Sequence, residues 1–171
     1  SSDLKAARNI STFVNDLLSN WYVRLSRRRF WKGVLSDDKL AAYHTLFECL
    51  NKVCRLMAPL APFFADRLFL DLNKENRSEV KDSVHLTVFP SSNDRYRDTD
   101  LEKKMNYARD ISSLALSIRK RNQIKVRQPL NKLIVPAKNI LEKKSIESIS
   151  ELICAEINVK KIEIIDDSSG I

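Results

Sequence analysis

Residues 4–31 read LKAARNISTFVNDLLSNWYVRLSRRRFW, and this stretch decides the fold. Its apolar side chains recur every three or four residues, at Leu4, Ala7, Ile10, Val14, Leu17, Leu18, Trp21 and Leu25. Because this spacing places them on one side of a helix, the sequence predicts a long amphipathic helix. Asp3 is placed to cap its start and Gly33 to end it.

The same spacing predicts three further helices. They run from about Asp38 to Met57, from about Pro62 to Asn73 and from about Leu101 to Arg121. Asp98 or Thr99 is placed to cap the last of them. Four amphipathic helices joined by short and long links pack most simply as a bundle.

A polar segment precedes the fourth helix. Residues 74–97 are rich in Asn, Ser and Asp, and they predict a surface loop. Within this loop, Val84 to Phe89 is apolar and ends at Pro90, so we expect a short extended run there.

The last third of the chain changes character. Leu130 to Val135 and Val159 to Ile165 have the composition or alternation of strands, and Ile140 to Ala155 has helical spacing between them. We therefore predict a mainly α chain, with a helical domain over residues 1–124. A small α/β subdomain, built as strand, helix and strand, is expected to follow over residues 125–171.

The composition excludes several enzyme classes. The chain has 171 residues and two glycines, Gly33 and Gly170. Glycine supplies the positive-φ corners and the close backbone approach that phosphate-binding loops need. A chain this poor in glycine is not expected to carry a Gly-rich dinucleotide loop, a P-loop or a Gly-x-Ser-x-Gly elbow.

Cysteine, histidine and acidic residues indicate neither a metal site nor a catalytic residue. The three cysteines are Cys49, Cys54 and Cys154. They are too sparse for a disulfide scaffold or a zinc site, so we interpret them as buried thiols of a protein in a reducing compartment. His44 and His85 lack ligand spacing. Asp98 and Asp100 resemble a metal-binding pair, but they precede a helix, which favours capping.

Positive charge is concentrated in two parts of the chain. The 30 Lys and Arg side chains exceed the 22 Asp and Glu, for a net charge of +8. Residues 1–35 contain 7 basic and 2 acidic side chains, and residues 101–135 contain 9 and 2. The first basic cluster comprises Arg24, Arg27, Arg28, Arg29 and Lys32, and the second Arg119, Lys120, Arg121, Lys125, Arg127 and Lys132.

Two explanations of these clusters stay open. A cation near a helix C-terminus gains about 0.3–1 kcal/mol from the helix dipole, so one or two there need no other cause. Four arginines within six residues, flanked by Trp21, Tyr22, Phe30 and Trp31, exceed that need. Arginine binds phosphate with two hydrogen bonds, and aromatic rings stack on unpaired bases. The pattern therefore indicates RNA binding, with pairing to another part of a longer chain as the alternative.

Six motifs resemble those of isoleucyl-tRNA synthetases, a family of class I aminoacyl-tRNA synthetases. They lie in family order along nearly the whole chain, at Leu18–Trp31, Asp38–Leu46, Met57–Phe63, Ser83–Pro90, Lys125–Leu130 and Glu156–Lys160. The sequences of the second and fifth motifs are similar to those of the eukaryotic-like branch of the family, to which some bacterial enzymes also belong. The resemblance implies an anticodon-binding helix bundle followed by a small α/β extension, here as a piece of a longer enzyme.

The resemblance also implies a function. The parent enzyme ligates isoleucine to tRNA(Ile) with ATP and Mg²⁺, but the motifs of its ATP site and its editing domain are missing here. We therefore expect this piece to be inactive alone and to bind the anticodon stem-loop as part of a monomeric cytoplasmic enzyme. A helical protein-interaction module and a nonspecific RNA-binding module are the alternatives. The expected tRNA-binding residues are Asn20, Trp21, Arg24, Arg27, Arg28, Arg29, Trp31, Arg119, Arg121, Lys125, Arg127 and Gln128.

Several of these residues also have a structural interpretation. Trp21 continues the apolar stripe of the first helix, which favours a place in the core. Arg29 is placed to pack against Trp31. The Arg127-Gln-Pro sequence is suited to building the turn into the first strand.

Overall fold

The computed structural model describes residues 2–76 and 81–166. The chain divides into two compact units, Ser1–Asn93 and Asp94–Ile171. This division lies before the domain boundary expected after residue 124, because the helix Thr99–Arg121 packs with the last third of the chain. Gly170 and the other residues after 166 lie outside the described part, as do residues 77–80 of the expected loop.

The first unit begins with the predicted long helix, which is divided into three pieces. Helix α1 (Ser2–Thr12) continues into a π-helical segment (Phe13–Val23), and α2 (Arg27–Trp31) follows a break at Ser26. Most of the predicted stripe is kept despite this division: Leu18 is buried and its other members are partly buried, except for Leu4 and Leu17, which are exposed. Asp3 lies inside the first turn of α1 and does not cap it from outside.

Two helices complete the framework of this unit. Ser36 caps helix α3 (Asp37–Met57), since its hydroxyl accepts a hydrogen bond from the Lys39 amide. Helix α4 (Pro62–Leu72) has its proline in the first turn, where the missing amide hydrogen costs nothing. Before α3, Gly33 adopts φ +78°, which favours glycine and ends α2 as predicted.

The prediction of an extended run that begins at Val84 and ends at Phe89 is wrong. Val84–Leu86 forms a turn of 3₁₀ helix instead. The Asp66 carboxylate accepts hydrogen bonds from the Ser83 hydroxyl at 2.7 Å and from the Val84 amide at 2.8 Å. These bonds lower the pKa of Asp66 and place Val84 in the core beside Phe69. Two more 3₁₀ turns lie at Lys74–Asn76 and Asp94–Tyr96.

The second unit is organised by a 23-residue helix, α5 (Thr99–Arg121). The Asp98 carboxylate accepts hydrogen bonds from the amides of Asp100 and Leu101, so the predicted capping role is confirmed. The buried side of α5 consists of Ala108, Ser112, Ala115 and Arg119. Three larger side chains of the predicted stripe, those of Leu101, Leu114 and Ile118, are more than half exposed.

The rest of the second unit is a parallel two-stranded sheet with two helices between its strands. Strand β1 (Leu130–Ala137) pairs with β2 (Val159–Asp166) in a register that places Leu130 opposite Val159. The single helix expected from Ile140 is two, α6 (Ile140–Ser148) and α7 (Ser150–Ile157). The mainly α class with a strand-helix-strand appendage is confirmed. No helix among the described residues is long and apolar enough to span a membrane.

The thiol of Cys54 lies in the core of the first unit with no exposed surface, and burial raises its pKa to about 11. A raised thiol pKa means that the reactive thiolate is scarce below that pH, about 1% at pH 9. We therefore predict that iodoacetamide leaves Cys54 unmodified in the native chain from pH 7 to pH 9, as read by peptide mass spectrometry. The urea-unfolded chain, in which all three cysteines react, is the control; equal rates in both states would contradict the prediction.

Candidate nucleic-acid interface

The first basic cluster is anchored to α3 by three aromatic rings. Phe30 is buried and meets Tyr22 edge-on, with ring centroids 6.4 Å apart, and Tyr43 at 5.0 Å. The Tyr22 hydroxyl donates to the Ala42 carbonyl at 3.1 Å, and the Tyr43 hydroxyl donates to the Phe30 carbonyl at 3.1 Å. These contacts fix the position of α2 against α3.

Arg29 adds an ion pair to the same anchor. Its Nε and Nη2 donate to the two carboxylate oxygens of Asp38 at 2.8 and 2.7 Å, and Nη2 also donates to the Asp38 carbonyl. The hydrogen bonds to Asp38 raise the pKa of Arg29. Arg29 is therefore held by the first turn of α3 through Nε and Nη2, while Trp31, against which it was expected to pack, is 81% exposed.

The other members of the first cluster are exposed. Arg27 and Arg28 are exposed, and neither forms an ion pair within residues 2–76 and 81–166. Trp31 is 81% exposed at the end of α2. The side chains of Asn20, Arg24 and Lys32 are also exposed. Two outward guanidinium groups beside an exposed indole are suited to bind phosphate and to stack on a base.

Trp21 lies half-buried in the π-helical segment. Its indole Nε1 is enclosed and has no hydrogen-bond partner in the described part of the chain. This environment favours the core interpretation of Trp21, and its predicted contact with RNA stays a prediction.

Arg119 of the second cluster lies inside the fold, 3% exposed. Its Nη1 donates to the carbonyls of Lys125 at 3.2 Å and Gln128 at 3.0 Å, and its Nη2 donates to the Asn158 carbonyl at 3.0 Å. A guanidinium used in this way has no free edge for phosphate. We therefore assign Arg119 to the structure of the second unit instead of the RNA-binding surface on which the sequence placed it.

The other expected tRNA-binding residues in or next to the second cluster are exposed. They are Arg121, Lys125, Arg127 and Gln128. Lys132 of this cluster pairs instead with Glu163 of the neighbouring strand, between Nζ and Oε2 at 2.9 Å. The Arg127-Gln-Pro sequence also builds a turn as expected, since the Gln128 amide donates to the Lys125 carbonyl at 3.0 Å.

Two residues that position the clusters were not among the candidates from the sequence. Asp38 is one; an acid in the first turn of a helix is so common that it carries no specific signal. Asn158 is the other, with its backbone in the left-handed region at φ 53° and ψ 57° directly after α7. An asparagine just after a helical pattern is a recognised sign of such a C-terminal cap, so this position could have been found.

The chain matches known proteins over most of its length. A family model described as the anticodon-binding domain of tRNA ligase matches residues 4–134, which include both basic clusters. The chain belongs to this family. No group of three or more His, Cys, Asp or Glu side chains suited to a metal occurs in the part that the structure describes.

Curated relatives give the same family context. The chain is 50% identical to an isoleucine-tRNA ligase of Cytophaga hutchinsonii, 48% to one of Bacteroides fragilis and 49% to one of Porphyromonas gingivalis. Each match covers 98% of this chain. The chain spans about 15% of the length of these relatives. Its counterpart in them is therefore one part of a much longer enzyme.

The internal role of Arg119 in this anticodon-binding domain predicts a large loss of stability in Arg119→Met. The variant removes three hydrogen bonds donated by an almost fully buried group, which costs about 2–4 kcal/mol of unfolding free energy. Urea denaturation measures the loss. Lys120→Met, at an exposed neighbouring position, is the matched control and should stay within about 0.5 kcal/mol of the unsubstituted chain. Equal stability of the two variants would refute the assignment.

Proposed function

We propose that this chain binds the anticodon arm of tRNA(Ile) as part of an isoleucine-tRNA ligase. The observation that carries the proposal is the outward pair Arg27 and Arg28 beside exposed Trp31, on a helix end that Arg29 and Phe30 hold against α3. The family and the named relatives support the same function.

Binding divides into two kinds of contact. Phosphate contacts from the two basic clusters position the anticodon stem, and they carry no sequence information themselves. Unstacked bases of the anticodon loop are recognised by stacking and by hydrogen bonds to their edges. Trp31 supplies an exposed aromatic face, and Asn20 and Gln128 supply amide groups that both donate and accept.

The chemistry of ligation belongs to other parts of the proposed parent enzyme. ATP and Mg²⁺ would be held there, together with the isoleucine that is activated. This chain contributes binding and orientation of the tRNA substrate and catalyses no step alone. We also propose that the parent enzyme is cytoplasmic, because tRNA charging serves translation, and that it is a monomer.

Arg27→Gln with Arg28→Gln should weaken binding of isoleucine tRNA by the full chain. Removing one cation from a phosphate lowers the slope of log K against log salt concentration by about 0.7–0.9. Fluorescence anisotropy from 50 to 200 mM salt measures affinity and slope together. Lys52→Gln with Arg67→Gln is the matched control: it removes two positive charges that already pair with Glu48 and Asp71. Equal slopes for both double variants would contradict the proposal.

A tRNA with a swapped anticodon tests recognition of the bases. Weaker binding of the swapped tRNA than of isoleucine tRNA is the result that the proposal predicts. Equal binding of the two would reduce the function to nonspecific RNA contact. Binding of an acidic peptide in place of tRNA would favour the protein-interaction alternative.

A further inference from the structure

Two side chains hold the turn formed by residues 125–128, which we call the basic turn. Its four consecutive carbonyl oxygens all accept hydrogen bonds. Arg119 binds the first and the last, as described above. The side-chain amide of Asn158 binds the middle two, with Nδ2 donating to the Val126 carbonyl at 2.9 Å and to the Arg127 carbonyl at 3.1 Å.

Asn158 is itself fixed in place by its backbone. Its carbonyl accepts from Arg119 Nη2 at 3.0 Å and from the Leu130 amide at 3.1 Å, where β1 begins. Its left-handed conformation follows the end of α7 and is one that asparagine and glycine adopt at low cost. The end of α5, the basic turn and the start of both strands are thereby joined through one network.

The network provides donors for all four carbonyl groups of the basic turn and leaves its charged side chains in solvent. Lys125, Arg127 and Gln128 are exposed. A flexible loop would have to be ordered when it binds, at a cost in affinity, and carbonyls that already accept hydrogen bonds from Arg119 and Asn158 repel an approaching phosphate less than unpaired ones do. The basic turn avoids both penalties.

We propose that Asn158 is a positioning residue that preorganises the basic turn for the phosphodiester backbone of RNA. The proposal rests on the proposed function and adds to it a residue that touches no RNA. Lys125 and Arg127 make the phosphate contacts. Asn158 acts through the carbonyl groups of Val126 and Arg127, which fix the backbone that carries both cations.

Asn158→Gly is the informative substitution because glycine keeps the left-handed backbone and removes only the two donated hydrogen bonds. We expect the melting temperature of the full chain to change little and the affinity for isoleucine tRNA to fall about three- to tenfold, the cost of ordering a few residues on binding. Lys125→Gln with Arg127→Gln removes the cations that Asn158 positions. Combining it with Asn158→Gly completes a double-mutant cycle.

The cycle separates positioning from a general effect on the fold. If Asn158 acts through the basic turn, Asn158→Gly weakens binding in the unsubstituted chain and has no effect once the two cations are gone. Unchanged affinity of Asn158→Gly, or an equal loss in both backgrounds, would overturn the proposal. If Lys125→Gln with Arg127→Gln binds as tightly as the unsubstituted chain, the basic turn is not a contact and the inference fails. The proposed function is decided separately by Arg27 and Arg28.

Discussion

A buried guanidinium needs hydrogen-bond acceptors wherever the chain places it, and Arg119 imposes this constraint on the second unit. Transfer of a charge out of water is costly unless its donors are satisfied. Arg119 meets the requirement with three main-chain carbonyls from two distant parts of the chain, residues 125–128 and Asn158. The small side chains of Ala108, Ser112 and Ala115 on the same side of α5 let the packed elements approach closely. The shape of the basic turn follows from this constraint.

Both basic clusters divide their cations between structure and surface. In the first, Arg29 is held by Asp38, while Arg27 and Arg28 are exposed on the same short helix. In the second, Arg119 is internal, while Lys125 and Arg127 are exposed on the turn that it binds. A cation that is fixed by its neighbours orients those beside it, so in the proposed complex the RNA would meet groups whose positions are already set. Such preorganisation raises affinity by reducing the entropy cost of binding.

The periodicity of the sequence predicted most of the helices and both strands, because amphipathic spacing and alternation depend on local geometry. Asp98 was also predicted as a cap, since its role needs only the next two amides. The extended run predicted at Val84 is wrong because the carboxylate of Asp66, distant in sequence, accepts a hydrogen bond from the Val84 amide. Local patterns contain no information on such a partner.

The candidate site could be predicted as a list of residues and not as a geometry. Charge clustering identified Arg119 and Arg127 alike, because charge alone does not distinguish a buried arginine from an exposed one in the same run. The distinction lies in spacing: Arg119 continues the row of Ala108, Ser112 and Ala115, four residues after Ala115. Asn158 was overlooked because its role depends on contacts with residues more than thirty positions away.

Arginine-selective modification of the full chain with phenylglyoxal, read by peptide mass spectrometry with and without isoleucine tRNA, tests the central claim most directly. The claim is that outward cations on anchored elements meet the RNA. It predicts that tRNA slows the modification of Arg27, Arg28 and Arg127 and leaves exposed Arg67 unaffected. Unchanged rates at the first three, or equal protection of Arg67, would contradict it.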